Sequence, residues 1–261
     1  MVVTRTREQA SGLSQRLAEL GAEAIELPVL KVTKSVKKQD LADVMLELGS
    51  YDWIVFTSQN GVRSFFEEFF RLFDDIRALG LIRVACVGES TARAVADLHL
   101  KIECTPKGKA TAEALADTLV ATGSLDSAKV LVVTGSLNRD VLVRKLEFAQ
   151  AIVDQFPVYE TERVDLAASP VAADYRARGA DAVLFASSSS AEFFASQGAA
   201  VALEPGALQP VYGSIGAQTS ESMRAAGLAV GFEAESPGLD GLLEALVAKL
   251  AAKPAGRGGR K

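Results

Sequence analysis

Asp52-Trp-Ile-Val-Phe-Thr-Ser58, with Phe65 seven residues further on, is answered later in the chain by Asp181-Ala-Val-Leu-Phe-Ala-Ser187 and Phe194. The two stretches stand 129 positions apart, and the spacing holds for Phe56 and Phe185, Ser58 and Ser187, and Phe65 and Phe194. Each is an apolar run too short for a helix, closed by a hydroxyl and followed by helix-period sequence. A buried parallel strand feeding a crossover helix reads this way. Working outward, Val87-Gly88-Glu-Ser-Thr91 returns as Ile215-Gly216-Ala-Gln-Thr219, 128 positions later. Residues 111–119 parallel 237–246, and residues 130–159 resemble 2–30. The last pair matters most for topology: each runs strand, helix, then Pro28-Val29-Leu30 or Pro157-Val158-Tyr159.

The unit that closes the middle of the chain therefore resembles the unit that opens it. The chain is expected to begin lobe one (residues 1–30), build lobe two (36–157), and return to finish lobe one (165–250). The crossings, 29–36 and 156–164, alternate polar and apolar residues and read as two antiparallel hinge strands. The fold class is α/β, two parallel-sheet lobes related by internal duplication. Strands are expected at 2–4, 53–57, 83–87, 130–134, 182–186 and 211–215. In Leu13-Ser-Gln-Arg-Leu-Ala-Glu-Leu20 the three leucines share one helical face. Ligands of open parallel sheets bind beyond the carboxyl ends of the strands. Lobes that face each other would frame one cleft with those ends.

Composition agrees with two cores. The chain has 261 residues, 49% hydrophobic and 23% charged, which is ample for two domains and unlike a disordered segment. Net charge is −5 and the charges are interspersed, so no basic stripe points to nucleic acid. No apolar run reaches membrane-spanning length and the start lacks a signal-peptide pattern, so a cytoplasmic protein is expected, with the charge balance favouring a monomer. Cys86 and Cys104 lie in apolar stretches and read as buried free thiols. With His99 alone, no zinc-ligand spacing exists. Residues 251–261, rich in Gly and basic residues, read as a disordered tail.

Chemistry must come from the strand-to-helix turns. Thr57-Ser58-Gln59-Asn60-Gly61, before a helix starting near Val62, and Ser187-Ser188-Ser189-Ser190 combine hydroxyls with free backbone amides. Such turns cap helices routinely and also bind anions. Two equivalent turns favour a shared ligand site at Thr57, Ser58, Asn60, Ser187 and Ser188. Gly88 with Thr91, and Gly216 with Thr219, form a second equivalent pair, where Gly allows close approach and Thr can cap or donate. Neither a three-glycine dinucleotide fingerprint nor a P-loop is present, so no nucleotide is expected. Arg5 and Arg139 follow comparable strand ends, where a guanidinium can clamp a carboxylate or simply be solvated. Tyr159 stands where the repeat has Leu30, a phenol beside the hinge able to donate a proton or merely to pack. There is no Ser-His-Asp set and no nucleophile elbow.

These residues, in this order, resemble the uroporphyrinogen-III synthase family. The resemblance covers the chain except its tail. It rests on Val3-Thr4-Arg5, Phe56-Thr57-Ser58-Gln59-Asn60-Gly61-Val62 and Val87-Gly88-Glu89-Ser90-Thr91-Ala92, then on Tyr159-Glu160-Thr161, Phe185-Ala186-Ser187-Ser188 and Ile215-Gly216-Ala217-Gln218-Thr219. Departures are Ala186 where Thr is frequent, Thr6 where Pro is usual, and Thr134 where Arg is common before Gly135. The resemblance implies two flavodoxin-like lobes joined by a two-stranded ladder. It implies a cofactor-free lyase that closes linear hydroxymethylbilane, a polycarboxylate, into uroporphyrinogen III, losing water and inverting the last pyrrole ring. It also implies that Tyr159 gives a proton to the departing hydroxyl. A two-lobed binding protein for an anionic small molecule, without catalysis, is the alternative; a two-lobed glycosyltransferase would require a longer chain.

Overall fold

The computed structural model describes residues 1–106, 108–137, 140–236 and 238–252. Its contacts divide the chain into Met1–Lys31 with Glu162–Lys261 (unit 1) and Val32–Thr161 (unit 2). Among the described residues ten strands are assigned: β1 Val2–Val3, β2 Ile25–Glu26, β3 Leu30–Lys34, β4 Trp53–Phe56, β5 Arg83–Cys86, β6 Lys129–Gly135, β7 Ile152–Arg163, β8 Ala182–Phe185, β9 Val211–Ser214 and β10 Phe232–Glu233. Between them lie α1 Arg7–Glu19, α2 Lys38–Leu46, α3 Gln59–Leu72, α4 Glu89–Ala96, α5 Ala112–Val120, α6 Val141–Phe148, α7 Pro170–Arg178, α8 Ser188–Ser196, α9 Ala217–Ala225 and α10 Leu239–Ala251.

Unit 1 carries a five-stranded sheet in the order β2-β1-β8-β9-β10, and every pairing in it is parallel. The other sheet runs β3-β7-β6-β4-β5, parallel from β7 to β5. Beyond β5, Cys104 extends it through an isolated parallel bridge to Ala85. At the β3 edge the Ser35 amide donates to the Val158 carbonyl (3.3 Å) and the Val164 amide to the Val29 carbonyl (3.0 Å). Pairing that runs backward in one segment as it runs forward in the other is antiparallel.

Helices on both faces explain why the central strands read as unbroken apolar runs. In β4, Ile54 and Phe56 join one core with Leu131 and Val133, while Trp53 and Val55 join the opposite core with Val130 and Val132. The repeated phenylalanines pack alike. Phe56 meets Phe65 edge-on at 5.7 Å, and Phe185 meets Phe194 edge-on at 5.4 Å. An aromatic from the strand thus seats the first turns of the following helix in each unit.

Three local expectations need correction. Leu20 does not share the buried face of Leu13 and Leu17: α1 stops at Glu19, and Leu20, at its C-cap, is 56% exposed. Helix α3 begins at Gln59, not near Val62, because Ser58 already caps it. Helix α8 likewise begins at Ser188 behind Ser187, so Ser188 and Ser190 are helical. Cys86 and Cys104 are free and buried. Beyond Ala252 the expected disordered tail lies outside the described residues, as does Arg139.

Candidate active site

In unit 2, two strands end beside a phenol carried by a third. Strand β4 delivers Thr57 and Ser58, β6 delivers Gly135, and β7 carries Tyr159. Ser58 is in extended backbone at the N-cap of α3, and its Oγ accepts the Gly61 amide at 3.0 Å. The same Oγ lies 2.8 Å from the Tyr159 hydroxyl, and either atom can be the donor. Thr57 turns inward, its hydroxyl donating to the Val133 carbonyl of β6 at 3.2 Å.

Tyr159 owes its aim to an irregular ladder. Thr134 pairs with Pro157 and Gly135 with Tyr159, so the register shifts and Val158 has no partner on β6. A bulge of this kind redirects the next side chain. A Cβ at Gly135 would fall 2.3 Å from two ring carbons of Tyr159, so only glycine leaves room for the ring. Ser136 holds the backbone just after the ring: its amide donates to the Tyr159 carbonyl (3.0 Å) and its Oγ accepts the Thr161 amide (3.1 Å). Burial raises the phenol above its ordinary range, and the Ser58 hydrogen bond opposes the rise. At neutral pH Tyr159 therefore holds its proton and can act as an acid.

Gly88 caps α4 and Gly216 caps α9, neither helix having a side-chain cap. Thr91 and Thr219 occupy the third position of these helices and are 3% and 5% exposed, so they are not caps but line the helix undersides. In unit 1, Ser187 Oγ accepts the Ser190 amide (3.2 Å). Ser188 Oγ donates to the Gln218 carbonyl (3.3 Å), which brings the first turns of α8 and α9 together. Ser214, unnoticed in the sequence, closes the second turn by accepting the Gly216 amide (3.1 Å) and donating to its carbonyl (2.7 Å). Arg5 follows β1 and is partly exposed, and Asn60 lies in the first turn of α3. The structure thus joins Ser58 with Tyr159 and Ser188 with the turn at Gly216.

A cavity of about 440 Å³ opens elsewhere in unit 1, at the amino ends of the strands near Met1, Ile25 and Asp181. It contains none of the candidate residues. Among the described residues no group of three or more His, Cys, Asp or Glu could hold a metal ion, and no helix is long and apolar enough to cross a membrane.

Fold and site define a parallel α/β protein of two units whose strand ends present hydroxyls, backbone amides and one protonated phenol. Within that class the match is specific: the family model described as uroporphyrinogen-III synthase HemD matches residues 11–244, and the chain belongs to that family. The porphyrin biosynthesis protein HemD of Ruminiclostridium josui is 28% identical over 168 residues, covering 63% of this chain and 32% of that protein. A putative uroporphyrinogen-III synthase of Methanothermobacter thermautotrophicus is 31% identical over 153 residues, covering 59% of this chain and 58% of that one. The chain thus spans about a third of the first relative and just over half of the second. In fold, the chain resembles a mutant uroporphyrinogen III synthase from Thermus thermophilus, with TM-score 0.68, 18% identity and coverage of 97% and 98%. It also resembles the uroporphyrinogen-III synthetase of Helicobacter pylori 26695, with TM-score 0.61, 17% identity and coverage of 95% and 97%.

Proposed function

We propose that this protein closes hydroxymethylbilane into uroporphyrinogen III, and that Tyr159 is its proton donor. The observation that carries the reading is the half-buried phenol of β7 held 2.8 Å from Ser58, just beyond the end of β4. The Tyr159 hydroxyl gives its proton to the terminal hydroxyl of the substrate. The C–O bond breaks, its electron pair leaves with oxygen as water, and a phenolate remains. The electron-poor methylene is attacked by the already substituted carbon of the last ring to give a spiro intermediate; the bond from that carbon to its original methylene bridge then breaks, and the freed bridge joins the ring's unsubstituted α-carbon, which turns the ring over. Loss of a proton from the newly joined carbon restores the pyrrole, and the phenolate takes that proton back. No cofactor takes part.

The carboxylates of the substrate need donors on a protein of net charge −5. In this reading they fall to Ser187, Ser188, the turns at Gly88 and Gly216, Asn60, Arg5 and Arg139. Helix N-termini and hydroxyls suit carboxylates. Thr57, Thr91 and Thr219 shape these turns from beneath. The two units are read as an internal duplication. Support comes from the repeats at 129 and 128 positions and from the sheets. Taken in the order β2-β1-β8-β9-β10 and β7-β6-β4-β5-Cys104, they match strand for strand. Unit 1 has the flavodoxin-like order 2-1-3-4-5. In this reading β3 and β7 are the linker, and the enzyme is monomeric and cytoplasmic. The family match gives no support to a binder without catalysis.

Tyr159→Phe tests the reading, because it keeps the ring and removes only the proton. General acid help is worth ~10²–10⁴-fold, and the lower end is expected because a pyrrolic hydroxymethyl group loses its hydroxyl readily. The ratio of type III to type I product should fall, since uncatalysed closure leaves the last ring uninverted, while product affinity should hold. Wild-type rate and isomer ratio in Tyr159→Phe would remove the phenol from the mechanism.

A further inference from the structure

We infer that Ser58 is a positioning residue for Tyr159: its hydroxyl donates to the phenol oxygen, turning the phenol proton outward, and Gly135 is the recess that lets the ring reach it. The inference rests on the reading of Tyr159 as proton donor. It moves Ser58 from the carboxylate-binding set to the support of the acid.

Three independent features converge. Ser58 Oγ already accepts the Gly61 amide, and a hydroxyl that accepts becomes a better donor. Among the described residues its O–H then has one acceptor at hydrogen-bond distance, the Tyr159 oxygen at 2.8 Å. The ladder is bulged at Thr134 and Gly135, and that irregularity sets Tyr159 opposite Gly135. At Gly135 itself any side chain would overlap the ring. A plain N-cap requires none of this, since the cap bond to Gly61 forms without a phenol.

The arrangement answers a chemical need. When Tyr159 releases its proton, the new phenolate already holds a hydrogen bond from Ser58 and faces the amino end of α3, a helix of 14 residues. Both stabilise negative charge. The Ser58 bond lowers the phenol against the effect of burial, the direction expected of a donor to phenolate. The proton leaves with the substrate hydroxyl as water and returns from the closing pyrrole carbon, so Ser58 keeps its own proton throughout.

The test combines Ser58→Ala, Ser58→Thr, Tyr159→Phe and the Ser58→Ala/Tyr159→Phe double variant. Fluorotyrosine, a more acidic phenol, is incorporated, and the Tyr159 ¹⁹F signal is assigned by its loss in Tyr159→Phe. In Ser58→Ala the Tyr159 titration should move up by about one unit, because the donor to the phenolate is lost. Turnover of hydroxymethylbilane should fall about tenfold, the effect of losing a hydrogen bond to a charged group. Ser58→Thr, which keeps hydroxyl and cap, should restore both readouts. In the Tyr159→Phe background Ser58→Ala should add less than about twofold, the non-additivity of a shared interaction. An unmoved Tyr159 titration in a folded Ser58→Ala protein, or losses that multiply in the double variant, overturns the inference. If Tyr159→Phe keeps full turnover while its titration still follows Ser58, the acid assignment fails and the hydrogen-bond assignment stands.

Discussion

At the scale of single residues, burial decides which reactive side chains are available. Cys86 is fully buried, and burial, with Cys104 beside it, pushes its thiol up to about 12. Cys104 moves in the same direction for the same reason. Both should stay as thiols and resist a disulfide reagent at pH 8 in the folded protein, reacting only after denaturation. The sign of the linked stability follows. An acid whose folded pKa is raised binds its proton longer in the folded state, so stability is unaffected below the unfolded value near 9. It declines as pH rises from 9 towards about 12, where the folded thiol also ionises. Melting temperature should fall above about pH 9, and the alkaline fall should be smaller in Cys86→Ala. An identical fall in that variant would deny Cys86 its part. The sequence exposed both thiols, Ser58 and Tyr159, because a hydroxyl at a strand end and a phenol breaking a repeat are visible in one dimension. Gly135 was not legible as a site residue. A glycine after an apolar strand signals close approach, but only the fold says that the approaching group is Tyr159.

At the scale of elements, the repeated hydroxyls do structural work before any chemistry. Ser187 satisfies an amide at the start of α8, as Ser58 does for α3. Ser187→Ala should cost about 1 kcal/mol, the usual value of such a cap. A lowered denaturation midpoint at unchanged slope checks it; no shift would mean that neighbouring Ser189, 3.3 Å from Ser187, or water takes over. The central strands were legible because four fully buried residues in a row leave no ambiguity. Strands β2 and β10 were not: each has two residues ending in an exposed Glu, too little for a period. Strand β7 was expected as a crossing from 156, yet it begins at Ile152. Its opening Ile-Val-Asp-Gln is only partly buried, so it lacks the apolar run of its neighbours. The early start of α3 was hidden because Gln59, Asn60 and Gly61 resemble a polar loop, whereas Ser58 caps a helix that already starts at Gln59.

At the scale of the whole molecule, the repeat, the paired sheet orders and the poverty of catalytic groups belong together. The sequence holds one histidine, and in the proposed reading the protein would hold a flexible polycarboxylate in one shape and supply one proton. The proposed duplication would provide hydroxyls and helix N-termini twice over, and Tyr159, which stands where the repeat has Leu30, is the residue assigned to chemistry. The most direct test is isomer analysis of the chelator-treated protein acting on hydroxymethylbilane, with no added metal or nucleotide. The account predicts consumption faster than spontaneous closure, with type III as the main product. Closure at the spontaneous rate to type I alone would contradict it.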